Sequence, residues 1–143
     1  MQEKTTAELF NALKRDPDVE EFLANNQQEF SKPFHEYLTQ LLADKHLTKK
    51  FLYTEMNCEP AHIYHIFNGT KKPSRERLAA IARAMNLNLD ETQYLLRYGG
   101  FGILYPRNPW DAVVISATEH NLTVAEMNEL LRQLGELPIF TEE

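Results

Sequence analysis

The sequence contains very little cysteine and no long apolar run. Cys58 is the single cysteine among 143 residues, which excludes an internal disulfide framework and is typical of proteins from a reducing compartment. No apolar stretch approaches the roughly 18 residues that a membrane-spanning helix needs. The N-terminal segment around Glu3, Lys4 and Glu8 lacks the apolar stretch of a signal peptide. We therefore expect a cytoplasmic protein with no membrane partner.

Motifs of catalytic and cofactor sites are also missing. The glycines at 99–102 follow a predicted helix and lack the lysine of a phosphate-binding loop. Cys58, His62 and His65 have spacings that bring a thiol and two imidazoles together, but no fourth metal ligand is evident nearby. No third group would orient a Cys/His nucleophile. We expect Cys58 to be a small buried hydrophobic residue, and we predict no enzymatic activity, metal or cofactor.

Helical periodicity covers nearly the whole chain, and no segment has a convincing strand pattern. Helix starts are indicated by capping side chains or by first-turn prolines at Thr5 or Thr6, Pro17, Pro33, Thr48, Pro60, Ser74, Asp90, Asn108 and Thr123. Helix stops are indicated at Asn57, Asn68, Gly69, Gly99, Gly100 and Gly135. The sequence therefore predicts an all-α protein.

The second half of the chain contains an internal repeat. Shifted by 35 positions, residues such as Asn86, Leu96 and Gly100 match Asn121, Leu131 and Gly135, so that the helix pair 75–98 is repeated as 109–134. Two units are too few for a free-standing solenoid, which usually needs about three. We expect a duplicated hairpin that serves core extension, dimerisation or partner docking. Aromatic residues are expected to pack the hairpins together, namely Tyr94, Tyr98, Phe101 and Tyr105, with Trp110 in the core.

Positive charge is concentrated in one segment of an acidic chain. The net charge is −6, yet residues 45–83 contain eight Lys or Arg residues and only three Glu residues. Such an island is typical of a surface that faces a polyanion while the rest of the molecule is repelled from it. The alternative is a chance cluster on a solvated face.

Two short helices are predicted on this basic segment, at 48–56 and 60–67, with a tight turn at Asn57 and Cys58 between them. One helix precedes them, and another follows the loop at 68–74. This arrangement is how a helix-turn-helix presents its second helix to the major groove of DNA.

Particular residues in this segment strengthen that prediction. They are Leu47-Thr48-Lys49, Leu52, Asn57, Ile63, Ile66, Asn68-Gly69, Lys71-Lys72-Pro73-Ser74 and Leu78. Their spacing resembles, without a gap, the Xre/Cro family of lambda-repressor-like domains, and the resemblance covers roughly residues 33–98. Residues 104–107 and 129–131 also resemble the C-terminal helical extension of a Firmicutes-type subgroup of these regulators.

The resemblance implies roles for individual residues. Contacts with the DNA backbone are implied for Thr48, Lys49, Lys50, Asn68, Lys71 and Lys72, with Arg75 nearby. Base-reading positions are implied for Pro60, Ala61, Tyr64 and His65, with His62 alongside. Because Pro60 and Ala61 offer no side-chain hydrogen bond to a base, discrimination rests on Tyr64, His65 and His62, on thymine methyl groups, or on DNA shape.

We expect a five-helix lambda-repressor-like domain at 31–100, preceded by a helical arm at 1–30 and followed by a helical hairpin extension at 101–143. The predicted function is transcriptional regulation through double-stranded DNA, as a homodimer because two half-sites give adequate specificity. A protein partner at the C-terminal hairpin is a further expectation. The alternative function is a protein-interaction adaptor that retains the fold with weak or no DNA binding.

Overall fold

The computed structural model describes residues 7–8 and 32–139 of the chain. Within residues 32–139 it contains seven α-helices and no strand. The helices are α1 (Phe34–Asp44), α2 (Lys49–Glu55), α3 (Pro60–Phe67), α4 (Arg75–Ala84), α5 (Leu89–Tyr98), α6 (Pro109–Glu119) and α7 (Val124–Gln133). The predicted all-α class is confirmed. The helices predicted for the arm at 1–30 lie outside the described residues, apart from positions 7 and 8.

Local capping signals determine where most helices begin. The Thr48 hydroxyl accepts a hydrogen bond from the Phe51 N–H, and the Ser74 hydroxyl accepts one from the Arg77 N–H, both at 3.1 Å. Pro60 is the first residue of α3, as predicted. The cap predicted at Asp90 is wrong, because Asn88 caps α5 in a reciprocal capping box with Glu91.

Helix α4 lies at the centre of the molecule and contacts α2, α5, α6 and α7. All of its residues from Leu78 to Ala84 are buried. Four of them are alanines, whose small side chains let neighbouring helices approach closely. A single core is thereby shared between α1–α5 and the hairpin α6–α7, which belong to one compact unit beginning at Phe34.

The predicted repeat is present as repeated backbone geometry. Asn86 and Asn121 both have left-handed φ values, of 58° and 56°, and Gly100 and Gly135 have φ values of 86° and 77°. Helices α5 and α7 both begin with a capping box. The hairpin α6–α7 therefore repeats the local design of α4–α5.

The tyrosines of α5 do not pack the two hairpins together as expected. The Tyr98 ring stacks on Tyr37 of α1, with ring centroids 4.2 Å apart, and Tyr94 lies 5.8 Å from the same ring. Tyr105 is 55% exposed. These aromatic contacts join α1 to α5 and so close the five-helix domain. Trp110 packs partly buried against the core, and its indole N–H donates to the Leu137 carbonyl oxygen at 3.0 Å.

Candidate nucleic-acid interface

Helices α2 and α3 form a tight helix-turn-helix. Asn57 takes the left-handed conformation at φ 51°, and the Cys58 N–H donates to the Tyr53 carbonyl oxygen at 3.2 Å. Leu52 of α2 and Ile63 of α3 are completely buried. The turn predicted from Asn57 is thus present, and it fixes the angle at which α3 leaves α2.

Helix α3 has one buried face and one exposed face. Ile63, Ile66 and Phe67 are in the core. The opposite face consists of exposed residues that recur at helical spacing, namely Pro60, Ala61, Tyr64, His65 and, just after the helix, Asn68. His62 is half-buried at the border. The structure therefore brings all the predicted base-reading residues to one surface.

Tyr64 has its own supporting contacts within that surface. Its ring is 47% exposed, and the Lys49 ammonium lies 5.6 Å from the ring centroid. The Tyr53 ring lies 6.4 Å away at an angle of 50°. Sequence reasoning did not assign a role to Tyr53. Its position four residues after Lys49 on the same helix was the available signal, since such residues share a face.

The loop at 68–74 is folded back against the end of α3. The Asn68 side-chain oxygen accepts from the Thr70 N–H at 2.9 Å, and the Lys71 N–H donates to the His65 carbonyl oxygen at 3.0 Å. The side chains of Lys71 and Lys72 are exposed. Lys49 and Lys50 begin α2, so lysines lie both before and after the exposed helix in the chain. Lys49 and the backbone of Lys71 also contact residues of α3.

Three cations of the basic segment are paired or buried within the protein. The Lys45 ammonium pairs with Glu91 at 2.8 Å, and the Arg75 guanidinium pairs with Asp111. Arg83 is only 4% exposed, and burial lowers the pKa of its guanidinium. The positive surface is therefore smaller than the sequence count indicates, and it includes Lys49, Lys50, Lys71 and Lys72.

The position of Arg75 differs from the expectation that it lies near phosphate. Its guanidinium makes two parallel hydrogen bonds of 2.9 Å to the Asp111 carboxylate. It also donates to the carbonyl oxygens of Gly102 and Ile103 at 2.9 Å. The hydrogen bond to Asp111 outweighs burial and raises the pKa of Arg75. Arg75 thus anchors the hairpin to the domain, and no local pattern indicates a partner 36 positions away along the chain.

The Cys58, His62 and His65 spacing does not produce a metal site. Within residues 7–8 and 32–139, no group of three His, Cys, Asp or Glu side chains is arranged to hold a metal ion. Cys58 is half-buried against the core. The same residues include no helix that is both long and apolar enough to cross a membrane.

A comparison with protein-family models agrees with this geometry. The family described as helix-turn-helix matches residues 38–91, from α1 into α5. Over these residues the chain is similar to the lambda-repressor-like helix-turn-helix domains, a family of DNA-binding domains and not of enzymes. No curated protein and no solved structure matches the chain. The resemblance to a Firmicutes-type extension stays a prediction.

Proposed function

We propose that this protein is a sequence-specific regulator of the Xre/Cro type that inserts α3 into the major groove of double-stranded DNA. The observation that carries the proposal is the exposed face of α3, bordered by the lysines of α2 and of the loop at 68–74. A major groove about 12 Å wide admits one α-helix. The exposed side chains of α3 would then face base edges while the lysines reach the phosphates.

Affinity in this proposal comes from the backbone contacts. Lys49, Lys50, Lys71 and Lys72 neutralise phosphates, and the hydroxyl of Thr48 and the amide of Asn68 add uncharged contacts beside them. Phosphate contacts release counterions, so each makes the affinity fall more steeply with salt. Arg75 is excluded from this set because its donors are engaged by Asp111 and two backbone carbonyl groups.

Specificity in this proposal comes from Tyr64 and His65. Both are exposed and carry groups that hydrogen-bond to bases, whereas Pro60 and Ala61 offer only apolar contact, which suits thymine methyl groups. His62 is half-buried and takes a smaller part. Tyr64 is held by Lys49 and Tyr53, which limits the entropy lost when it orders against a base.

We further propose that the protein binds as a homodimer. One short helix contacts few base pairs, and two-fold binding to half-sites about 34–36 Å apart is how helix-turn-helix proteins reach adequate specificity. A protein partner at the hairpin α6–α7 stays a second, separate proposal. The exposed leucines 134 and 137 near its end are the observation that favours it.

The test begins with selection of bound fragments from genomic DNA at near-physiological salt. Affinity for a selected fragment is then measured by fluorescence anisotropy across a salt series. Lys71→Met should weaken binding to every sequence and reduce the slope of log K against log salt by about 0.9, the value for one lost phosphate contact. Tyr64→Ala should instead reduce discrimination between the selected fragment and its single-base variants.

Lys45→Met is the matched control, because it removes the same charge from a lysine that Glu91 already neutralises. Its salt slope should equal that of the wild type. An unchanged slope in Lys71→Met, or the recovery of no fragment at all, would contradict the proposal. The adaptor function would then be favoured, since Pro60 and Ala61 offer no side-chain hydrogen bond to a base edge.

A further inference from the structure

A groove of about 690 Å³ lies beside the proposed DNA-binding surface. One side is formed by His62 and Ile66 of α3, the loop at 71–74 and the first turn of α4. The other side is formed by Phe101 and by residues 137–139, which follow α7. The groove therefore lies where the helix-turn-helix meets the hairpin extension, and part of its lining belongs to the phosphate-binding loop.

Hydrogen bonds fix both the hairpin side and the Phe101 side of the groove. Trp110 donates to the Leu137 carbonyl oxygen, and the Ile139 N–H donates to the Asn128 side-chain oxygen at 2.7 Å. Next to Phe101, the Gly102 carbonyl oxygen accepts from Arg75 at 2.9 Å. A groove whose walls are already ordered binds a ligand without a further entropic cost for shaping the site.

The two sides of the groove differ in chemistry. Lys71, Lys72 and Arg77 line one side with Glu76 as the only carboxylate among the lining residues, which leaves a positive excess. The other side is apolar, with Phe101, Leu137, Pro138 and Ile139. The Lys72 ammonium lies 5.6 Å from the Phe101 ring centroid, so charge and apolar surface meet within one site. A ligand that matches both sides has one anionic group and an apolar body.

We propose that this groove is an effector site for a small organic anion with an apolar body. The anionic group pairs with the ammonium groups of Lys71 and Lys72, and the apolar body lies against Phe101 and residues 137–139. A ligand bound there takes up cations that the phosphate backbone of DNA also needs. Binding of the anion and of DNA is therefore mutually exclusive, a consequence that rests on the proposed function.

The site is tested first without DNA. The probe is 8-anilinonaphthalene-1-sulfonate, an aryl sulfonate whose fluorescence rises in apolar surroundings, titrated into the full chain. We expect one saturable site. Leu137→Asp should weaken its affinity at least about fivefold, because it adds a like charge and removes apolar wall. Leu137 is 66% exposed, so this substitution leaves the core intact.

Leu134→Asp is the matched control, since Leu134 is 60% exposed and lies outside the groove lining. Its effect on probe affinity should stay within about twofold. N-phenyl-1-naphthylamine, a neutral relative of the probe, should bind more weakly than the sulfonate because it lacks the anionic group. The proposal would be overturned if Leu137→Asp and Leu134→Asp changed the probe affinity equally, or if the two probes bound equally. A fluorescence signal that arises only when residues 140–143 are removed would also overturn it.

Competition is tested separately, in an anisotropy titration with a selected DNA fragment. The sulfonate should raise the apparent Kd for DNA in the wild type and in Leu134→Asp, and should raise it less in Leu137→Asp at the same probe concentration. Saturation of the site with no change in DNA affinity would overturn the competitive role. Failure of DNA binding itself would count against the proposed function alone, because the probe titration contains no DNA.

Discussion

Gly69, in the loop at 68–74, has a backbone conformation and a close neighbour that both disfavour a side chain. Its φ of 84° is in the left-handed region, and a Cβ there would lie 2.8 Å from Nδ1 of His35. We predict that Gly69→Ala lowers the free energy of unfolding by about 2 kcal/mol, from backbone strain and displacement of the His35 ring. Urea denaturation measures this loss. The same variant should weaken DNA binding, since Asn68 and Lys71 would shift with the loop.

Variants at two other glycines distinguish the effect of backbone strain from the effect of contact with His35 on the free energy of unfolding. Gly135 has a φ of 77° but open space around its Cβ position, so Gly135→Ala should cost only the backbone term of about 1 kcal/mol. Gly102 has neither a left-handed φ nor a close neighbour, and its alanine variant should be neutral or slightly stabilising. A loss in Gly69→Ala no larger than that in Gly135→Ala would show that contact with His35 does not matter.

At the scale of elements, a bidentate ion pair between Arg75 of α4 and Asp111 of α6 links the two hairpins. Asp111 is 3% exposed, and its carboxylate also accepts from the Tyr105 N–H at 2.9 Å. Asp111→Ala leaves a half-buried guanidinium without its counter-ion. We predict a loss of about 3 kcal/mol in the free energy of unfolding, measured by urea denaturation at neutral pH.

The pair between Lys45 and Glu91 provides the comparison, because its side chains are 33% and 36% exposed. Solvent screening limits such a pair to about 0–1 kcal/mol, so Lys45→Met should have a small effect on stability. The two variants should also respond differently to added salt, since screening weakens only the exposed pair appreciably. Similar losses in the two variants would mean that burial of Asp111 adds nothing to the strength of its pair.

Element boundaries were predictable from sequence wherever a local signal fixes them. Five helices begin where the sequence predicts, because capping depends on residues within one turn. Their starts are marked by Thr48, Pro60, Ser74, Asn108 and Thr123. The cap at Asn88 was missed since Asp90, two residues later, is an equally suitable residue type.

Contacts between distant parts of the chain were not predictable in this way. The partner of Arg75 is 36 positions away, and the stacking of Tyr98 on Tyr37 depends on how α1 lies against α5. The exposed face of α3 was predictable, because a period of 3.6 residues separates it from Ile63 and Ile66. The number of cations exposed at the surface was not predictable, because Arg83 is buried only by the packing of other helices around α4.

At the scale of the whole molecule, the chain is acidic but carries a cluster of exposed lysines beside α3. The chain has 21 acidic and 15 basic residues, yet lysines border the exposed face of α3. Such a cluster favours an approach to a polyanion through this surface. Internal pairing of Lys45 and Arg75 concentrates the remaining positive charge on the lysines of α2 and of the loop at 68–74, which carry the phosphate contacts in the proposed function.

The molecule should also unfold as one unit from α1 to α7, although only residues 38–91 match the family model. Helix α4 contacts α2 and α5 on the domain side and α6 and α7 on the hairpin side, so neither half buries its apolar surface alone. In native-state hydrogen exchange, the slowest amides of α4 and α6 should open with the same free energy. Asp111→Ala should lower both by an equal amount. If the free energy of opening were much lower in α6 than in α4, the hairpin would instead unfold independently of the domain. Anion binding at residues 137–139 would then depend on whether the hairpin is folded.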